Sequence, residues 1–181
     1  NPEPSGNGCR MLLAPVPIFY QTDLEAAIHY GRLSAATTHG SEDCLAATGL
    51  FAELLVRALR GAPSKAELLA GPFTAPLSPA IQAVAEGPYR EKDERAIKGS
   101  GWVVESLEAA LWCFWHAEDF KDTILRAANL GDDADTTAAI AGQLAGAYYG
   151  AEAIPQAWRE RLALGDEIAA LARHLAEQAH E

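Results

Sequence analysis

The 181 residues are one domain's worth of chain, 49% hydrophobic and 22% charged, the balance of a soluble globular protein able to bury a substantial core. Fourteen basic against 25 acidic residues give a net charge of −11, which with no Lys/Arg run excludes a nucleic-acid surface. No apolar run approaches the roughly 18 residues of a membrane span, and no basic-then-apolar leader opens the chain, so a cytoplasmic protein off the membrane is expected.

Residues 1–22 carry four prolines and two glycines and read as extended or looped. Thr22–Asp23 offers a helix cap, Leu24–Thr37 a first helix, and His39–Gly40 its stop. Ser41-Glu42-Asp43 opens a second helix whose Leu45, Leu50, Leu54, Leu55 and Leu59 lie largely on one side, ending at Gly61-Ala62-Pro63. Ser64–Ala70 and Ser78–Ala85 read as short helices around a loop. Gly87–Gly101 is the most polar stretch and the one expected to be most mobile. Trp102–His116 is strongly apolar and is expected at the centre of the core, followed by a helix over Asp119–Asn129. Pro155 suits the first turn of a further helix, and Gly165 divides it from a charged helix to Glu181. Period-2 alternation and fixed-spacing repeats are both lacking, so the fold expected is compact and all-α. Cys9, Cys44 and Cys113 are odd in number, widely spaced and without a CxxC, which reads as buried free thiols in a reducing compartment.

The densest chemistry lies at 130–150, LGDDADTTAAIAGQLAGAYYG. Asp132 or Asp133 could cap a helix, and Asp135 could answer its dipole. Three acids and two threonines in six residues exceed what capping requires, and a hard cation takes such oxygens. An EF-hand is excluded: with Asp133 in the first loop position, Ala138 and Leu144 stand where glycine and glutamate are needed. With no Cys or His nearby, soft metals are disfavoured and Mg²⁺, Mn²⁺ or Ca²⁺ remain. Gly142, Gly146 and Gly150 share one side of the helix and read as close packing, at about 1 kcal/mol of helix propensity per interior glycine.

Elsewhere the signals are weak one by one. Ser5-Gly6-Asn7-Gly8 could turn backbone amides toward a phosphate or be a plain turn. Thr38-His39 ends a helix, and Gly99–Trp102 is either a flap or the lead-in to a core helix. GxSxG, HExxH, Walker and GxGxxG motifs are all lacking.

Taken in order, SGNGCRM at 5–11, TTH at 37–39, GSGWVVESLEAALWCF at 99–114, GDDADTTAAIAGQLAGAYYG at 131–150 and IPQAW at 154–158 resemble the C-terminal part of the ADP-ribosylglycohydrolases. This family includes the dinitrogenase reductase-activating glycohydrolase. The resemblance implies an orthogonal multi-helix fold, with 1–181 the C-terminal portion of a single domain. It also implies a two-Mg²⁺ centre, or Mn²⁺ in its place, that cleaves the bond joining ADP-ribose to a protein side chain or a small-molecule acceptor. On it, Asp133, Asp135 and Thr136 match metal ligands, and Asp132 stands where the family has a small residue. Ser5, Gly6, Asn7 and Gly8 match the loop holding the diphosphate and adjoining ribose. His39 matches a histidine lining the ADP-ribose site, and Gly101 and Trp102 lie near the substrate. The family's catalytic glutamate and its Thr-Asp-Asp-Thr motif are not in this chain; they are expected upstream, in an N-terminal segment that would complete the site. The alternative is an inactive relative that binds ADP-ribose or serves structurally, as lens crystallins of the family do.

Overall fold

A computed structural model describes residues 5–179. Ten α-helices follow in order: α1 (Pro15–Phe19), α2 (Leu24–Ala36), α3 (Glu42–Leu59), α4 (Lys65–Leu68), α5 (Pro79–Ala85), α6 (Val103–His116), α7 (Phe120–Asn129), α8 (Ala134–Tyr149), α9 (Gln156–Arg159) and α10 (Gly165–Gln178). No strand forms among the described residues, only an isolated antiparallel bridge between Gly6 and Trp102. The all-α expectation holds.

Capping explains where several helices begin. Asp23, Ser41, Ser64, Ser78 and Asp119 each accept a hydrogen bond from the backbone amide three residues on, which satisfies a donor that the helix leaves open. Pro79 takes the first turn of α5, where its missing N–H costs nothing.

The core is built on two helices rather than on α6 alone. Thirteen of the eighteen residues of α3 are buried, and it packs against α1, α2, α6 and α8. Ala46, Ala47, Gly49 and Ala52 are small enough for neighbours to approach from every side, and a leucine stripe read from the sequence does not reveal this. Leu45 and Leu59 end half-buried while Leu50, Leu54 and Leu55 are enclosed. Val103, Leu107, Leu111 and Phe114 of α6 complete the centre.

Three segments depart from the sequence reading. The stretch read as loop up to residue 22 holds a 3₁₀ turn at Asn7–Arg10 and the short α1, opened by Pro15; residues 1–4 lie outside the described residues. Residues 87–101, expected to be mobile, form two 3₁₀ turns fastened to α6. Tyr89 and Ile97 are buried, Trp112 Nε1 donates to the Lys92 carbonyl at 2.9 Å, and Lys92 pairs with Glu108 at 2.6 Å. A few apolar anchors outweigh the polar composition. The glycine stripe of α8 also divides: a Cβ on Gly142 would come within 3.0 Å of Ile124, so that one is packing, whereas Gly150 has φ +82° and ends the helix.

Candidate functional site

The long helices α3, α6 and α8 point their N-terminal ends at the loop 5–8. Ser5 Oγ and Ser41 Oγ, the cap of α3, share a hydrogen bond of 2.9 Å. Gly6 bridges Trp102, which precedes α6; Asn7 N–H donates to the Gly101 carbonyl at 3.0 Å and Val103 N–H to the Ser5 carbonyl at 2.8 Å. Asn7 Nδ2 donates to Asp133 Oδ2, at the head of α8, over 2.6 Å. Each helix end carries partial positive charge, and neither α6 nor α8 has a side-chain cap. Three such ends thus meet around one glycine-containing loop, an arrangement of the kind that favours anions.

His39 forms the floor of that loop. A Cβ on Gly6 would lie 3.1 Å from its Nε2, and one on Gly8 3.4 Å from its Cε1, so glycine lets the backbone settle against the ring. The ring's Nδ1 shares a 2.8 Å hydrogen bond with Thr38 Oγ1, which fixes its orientation. Gly101 lies on the opposite wall, its Cβ position 3.9 Å from Asp133 Oδ2, and Trp102 beside it is 45% exposed. The segments 5–8, 38–39, 101–102 and 133–136, far apart in sequence, therefore meet in space.

At the head of α8, Gly131 (φ +79°) and Asp132 (φ +51°) take left-handed backbone, which turns the chain sharply into the helix. Asp132 is exposed and plays the part of a turn residue, in keeping with the small residue expected there. Asp133 occupies the cap position, but its side chain makes no capping bond. Its carboxyl is held below the usual carboxylate range by hydrogen bonds, first from Asn7 and then from Thr136, with burial opposing. Asp135 is exposed on the first turn and Thr136 is 6% exposed. An ionised carboxylate, a second carboxylate and a hydroxyl form an all-oxygen donor set, which fits a hard cation. Among the described residues no three His, Cys, Asp or Glu side chains gather around a metal position.

Several participants escaped the sequence reading. Ser106 lies 3.4 Å from Asn7 Nδ2, and Glu105 accepts from Ser100 Oγ at 2.5 Å. Cys44 Sγ and Cys9 Sγ approach the Gly6 carbonyl at 3.3 and 3.7 Å, and Arg10 sits wholly buried behind the loop. None belongs to a recognisable spacing; only the fold brings them to residues 5–8. All three cysteines are free and buried, as expected.

Converging helix ends over a glycine-containing loop, beside an oxygen-rich helix head, are the features that this all-α fold brings together. The chain belongs to the ADP-ribosylglycohydrolase family, whose pattern matches residues 1–181. It is 41% identical over 179 residues to the ADP-ribosylarginine hydrolase Tri1 of Pseudomonas putida, covering 99% of this chain and 48% of that protein. It is 36% identical to the Tri1 hydrolase of Serratia proteamaculans, covering 96% of this chain and 47% of that one. A solved ADP-ribosylglycohydrolase-related protein complex superposes with a TM-score of 0.90 at 44% identity, covering 99% of this chain and 62% of that chain. The chain thus spans about half the length of the curated relatives it matches.

Proposed function

We propose that this chain forms the ADP-ribose-holding part, and one side of the metal centre, of a hydrolase that releases ADP-ribose from modified arginine side chains. The Asn7–Asp133 hydrogen bond carries this reading, because it ties the Ser5–Gly8 loop to the candidate oxygen ligands at 2.6 Å. Arginine as the acceptor is taken from the Tri1 relatives. Amides of Gly6 and Gly8 and the ends of α3, α6 and α8 would receive the diphosphate, which a protein without a basic patch needs. The face of His39 and the exposed ring of Trp102 would border the sugar and the acceptor.

Asp133, Asp135 and Thr136 would hold Mg²⁺, or Mn²⁺ in its place. Bound there, the cation would supply charge stabilisation and activate water for attack on the sugar. Asn7 and Thr136 keep Asp133 ionised for that purpose. Charge developing on the sugar resembles the oxocarbenium of glycoside hydrolysis. The catalytic glutamate expected from the resemblance would come from an N-terminal segment. Three buried free thiols suit a cytoplasmic setting, and no helix among the described residues is long and apolar enough to cross a membrane.

The test uses the full-length protein with an ADP-ribosylarginine protein and Mg²⁺. Release of free ADP-ribose, abolished by Asp135→Ala, is expected; undiminished release by that variant would sink the reading. An inactive relative predicts ADP-ribose binding without any release.

A further inference from the structure

Among the described residues, Arg10 is the largest side chain that is completely enclosed, at 0% exposure. Its Nη2 donates to the Val103 carbonyl at 2.8 Å, while Nε and Nη1 have no hydrogen-bond partner among the described residues. The ion pairs among the described residues all involve other cations. Its ionisable neighbours are the thiols of Cys9 and Cys44, whose attraction, together with a side-chain contact from Cys9, offsets only part of the cost of burial. Burial pushes Cys44 up to about 11, which leaves it uncharged at neutral pH, and draws Arg10 down only to about 10, which leaves it charged. A buried guanidinium without a counter-ion is strongly unfavourable by itself.

The position of this charge suggests its use. Val103, which holds Arg10 by its carbonyl, donates its own N–H to the Ser5 carbonyl at 2.8 Å. Cys44, another neighbour of the guanidinium, reaches the Gly6 carbonyl at 3.3 Å. Arg10 therefore backs the bridge between Gly6 and Trp102, directly behind the loop that the three helix ends surround.

We propose that Arg10 is a built-in counter-charge for the anion held by the Ser5–Gly8 loop, acting through space as a positioning residue without touching the ligand. The identity of that anion as a diphosphate rests on the ADP-ribose reading above. Interior surroundings screen the charge weakly, so it adds to the helix ends where surface lysines are not available. A ligand anion supplies the compensation that the fold withholds.

Calorimetry and thermal melts of this chain with inorganic pyrophosphate, and with adenosine as an uncharged probe, test the proposal. Pyrophosphate should stabilise the wild type, and Arg10→Met should weaken pyrophosphate binding about tenfold, the scale of one poorly screened charge, with any adenosine response unchanged. Arg10→Lys should stay close to wild type. Arg10→Met without ligand should melt no lower than wild type, because an apolar chain replaces an unpaired buried charge. A purely structural arginine predicts the reverse pattern: a lower melting point and an unaltered pyrophosphate affinity. Should Arg10→Met fail to fold, Arg10→Gln removes the charge and keeps a donor for Val103. Undiminished pyrophosphate affinity without the charge, or a wild type blind to pyrophosphate, overturns the proposal even if the full-length protein releases ADP-ribose. An intact, Arg10-dependent pyrophosphate response without ADP-ribose release strikes only the hydrolase reading.

Discussion

Asn7 and Asp133, 126 residues apart in sequence, meet in a hydrogen bond of 2.6 Å that joins the glycine-containing loop to the head of α8. Asn7 is 7% exposed, and its side-chain nitrogen also lies 3.4 Å from the Ser100 carbonyl and from Ser106 Oγ. Asn7→Ala should therefore cost about 1–3 kcal/mol, the range for stranding buried partners. The cost should depend on pH. Asn7 is the foremost cause of the lowered Asp133 pKa, so its contribution is present above the carboxylate's unfolded value and fades as pH falls through the depressed folded value. Urea titrations in chelator should show wild type and variant further apart at neutral pH than in acid. A pH-independent gap would leave Asn7 with a packing role alone.

The contact between Gly6 and His39 makes a second prediction. Gly6→Ala puts a methyl 3.1 Å from Nε2, and the ring, held by Thr38, must give by a few tenths of an ångström. A stability loss at or below the ~1–3 kcal/mol typical of overpacking is expected, with, for the hydrolase proposed above, a larger rise in KM than fall in kcat. His39→Ala should relieve the clash, so the double variant should be more stable than the sum of the two single effects. Strict additivity in that cycle would show that the ring and the methyl do not meet.

These two contacts also mark how far the sequence could be read. The segments 5–8, 39, 101–102 and 133–136 were identifiable through motifs that retain their order, and the fold brings them together. The helices were legible because Asp23, Ser41, Ser78 and Asp119 announce their own caps. What stayed hidden depends on contacts distant in sequence. α3 is surrounded because its small residues admit neighbours on every side. Residues 87–101 are ordered by two apolar anchors and one indole hydrogen bond, against their polar composition. Arg10, in a motif already picked out, gave no sign of burial, since a charged residue is ordinarily read as solvent-facing.

Thr137 Oγ1 is buried with no hydrogen-bond partner among the described residues, and it lies 3.3 Å from the Cβ position of Gly99. Removing an unpaired hydroxyl from the interior relieves a desolvation penalty. Thr137→Val should accordingly be neutral or stabilising by up to about 1 kcal/mol. Gly99→Ala, which would also press on the Gly131 carbonyl at 3.3 Å, should destabilise and disturb the Asp133 amide bond to the Gly99 carbonyl, 2.8 Å long. Thermal melts of the two variants decide the matter. A large loss in Thr137→Val would mean that the hydroxyl has a partner, such as an enclosed water.

Glu53, at 0% exposure in the middle of α3, accepts from Arg57 at 2.7 Å and from the amides of Thr74 and Ala75, both at 2.9 Å. Arg57 in turn donates to the Ala70 and Pro72 carbonyls at 2.6 and 2.8 Å and lies over the Phe73 ring. Two side chains one helical turn apart thus fasten the whole 70–75 loop, which has no regular structure of its own. Glu53→Ala leaves a guanidinium and two amides without their acceptor and should cost about 3–5 kcal/mol, the range for breaking a buried pair. Because one end of the pair, Arg57, is a quarter exposed, Arg57→Ala should cost less. Glu53→Gln retains an acceptor for the amides and should fall between the two. Denaturant unfolding of the three variants gives this order directly, and an Arg57→Ala loss equal to that of Glu53→Ala would show that the bonds of Arg57, not the amide bonds to Glu53, hold the loop.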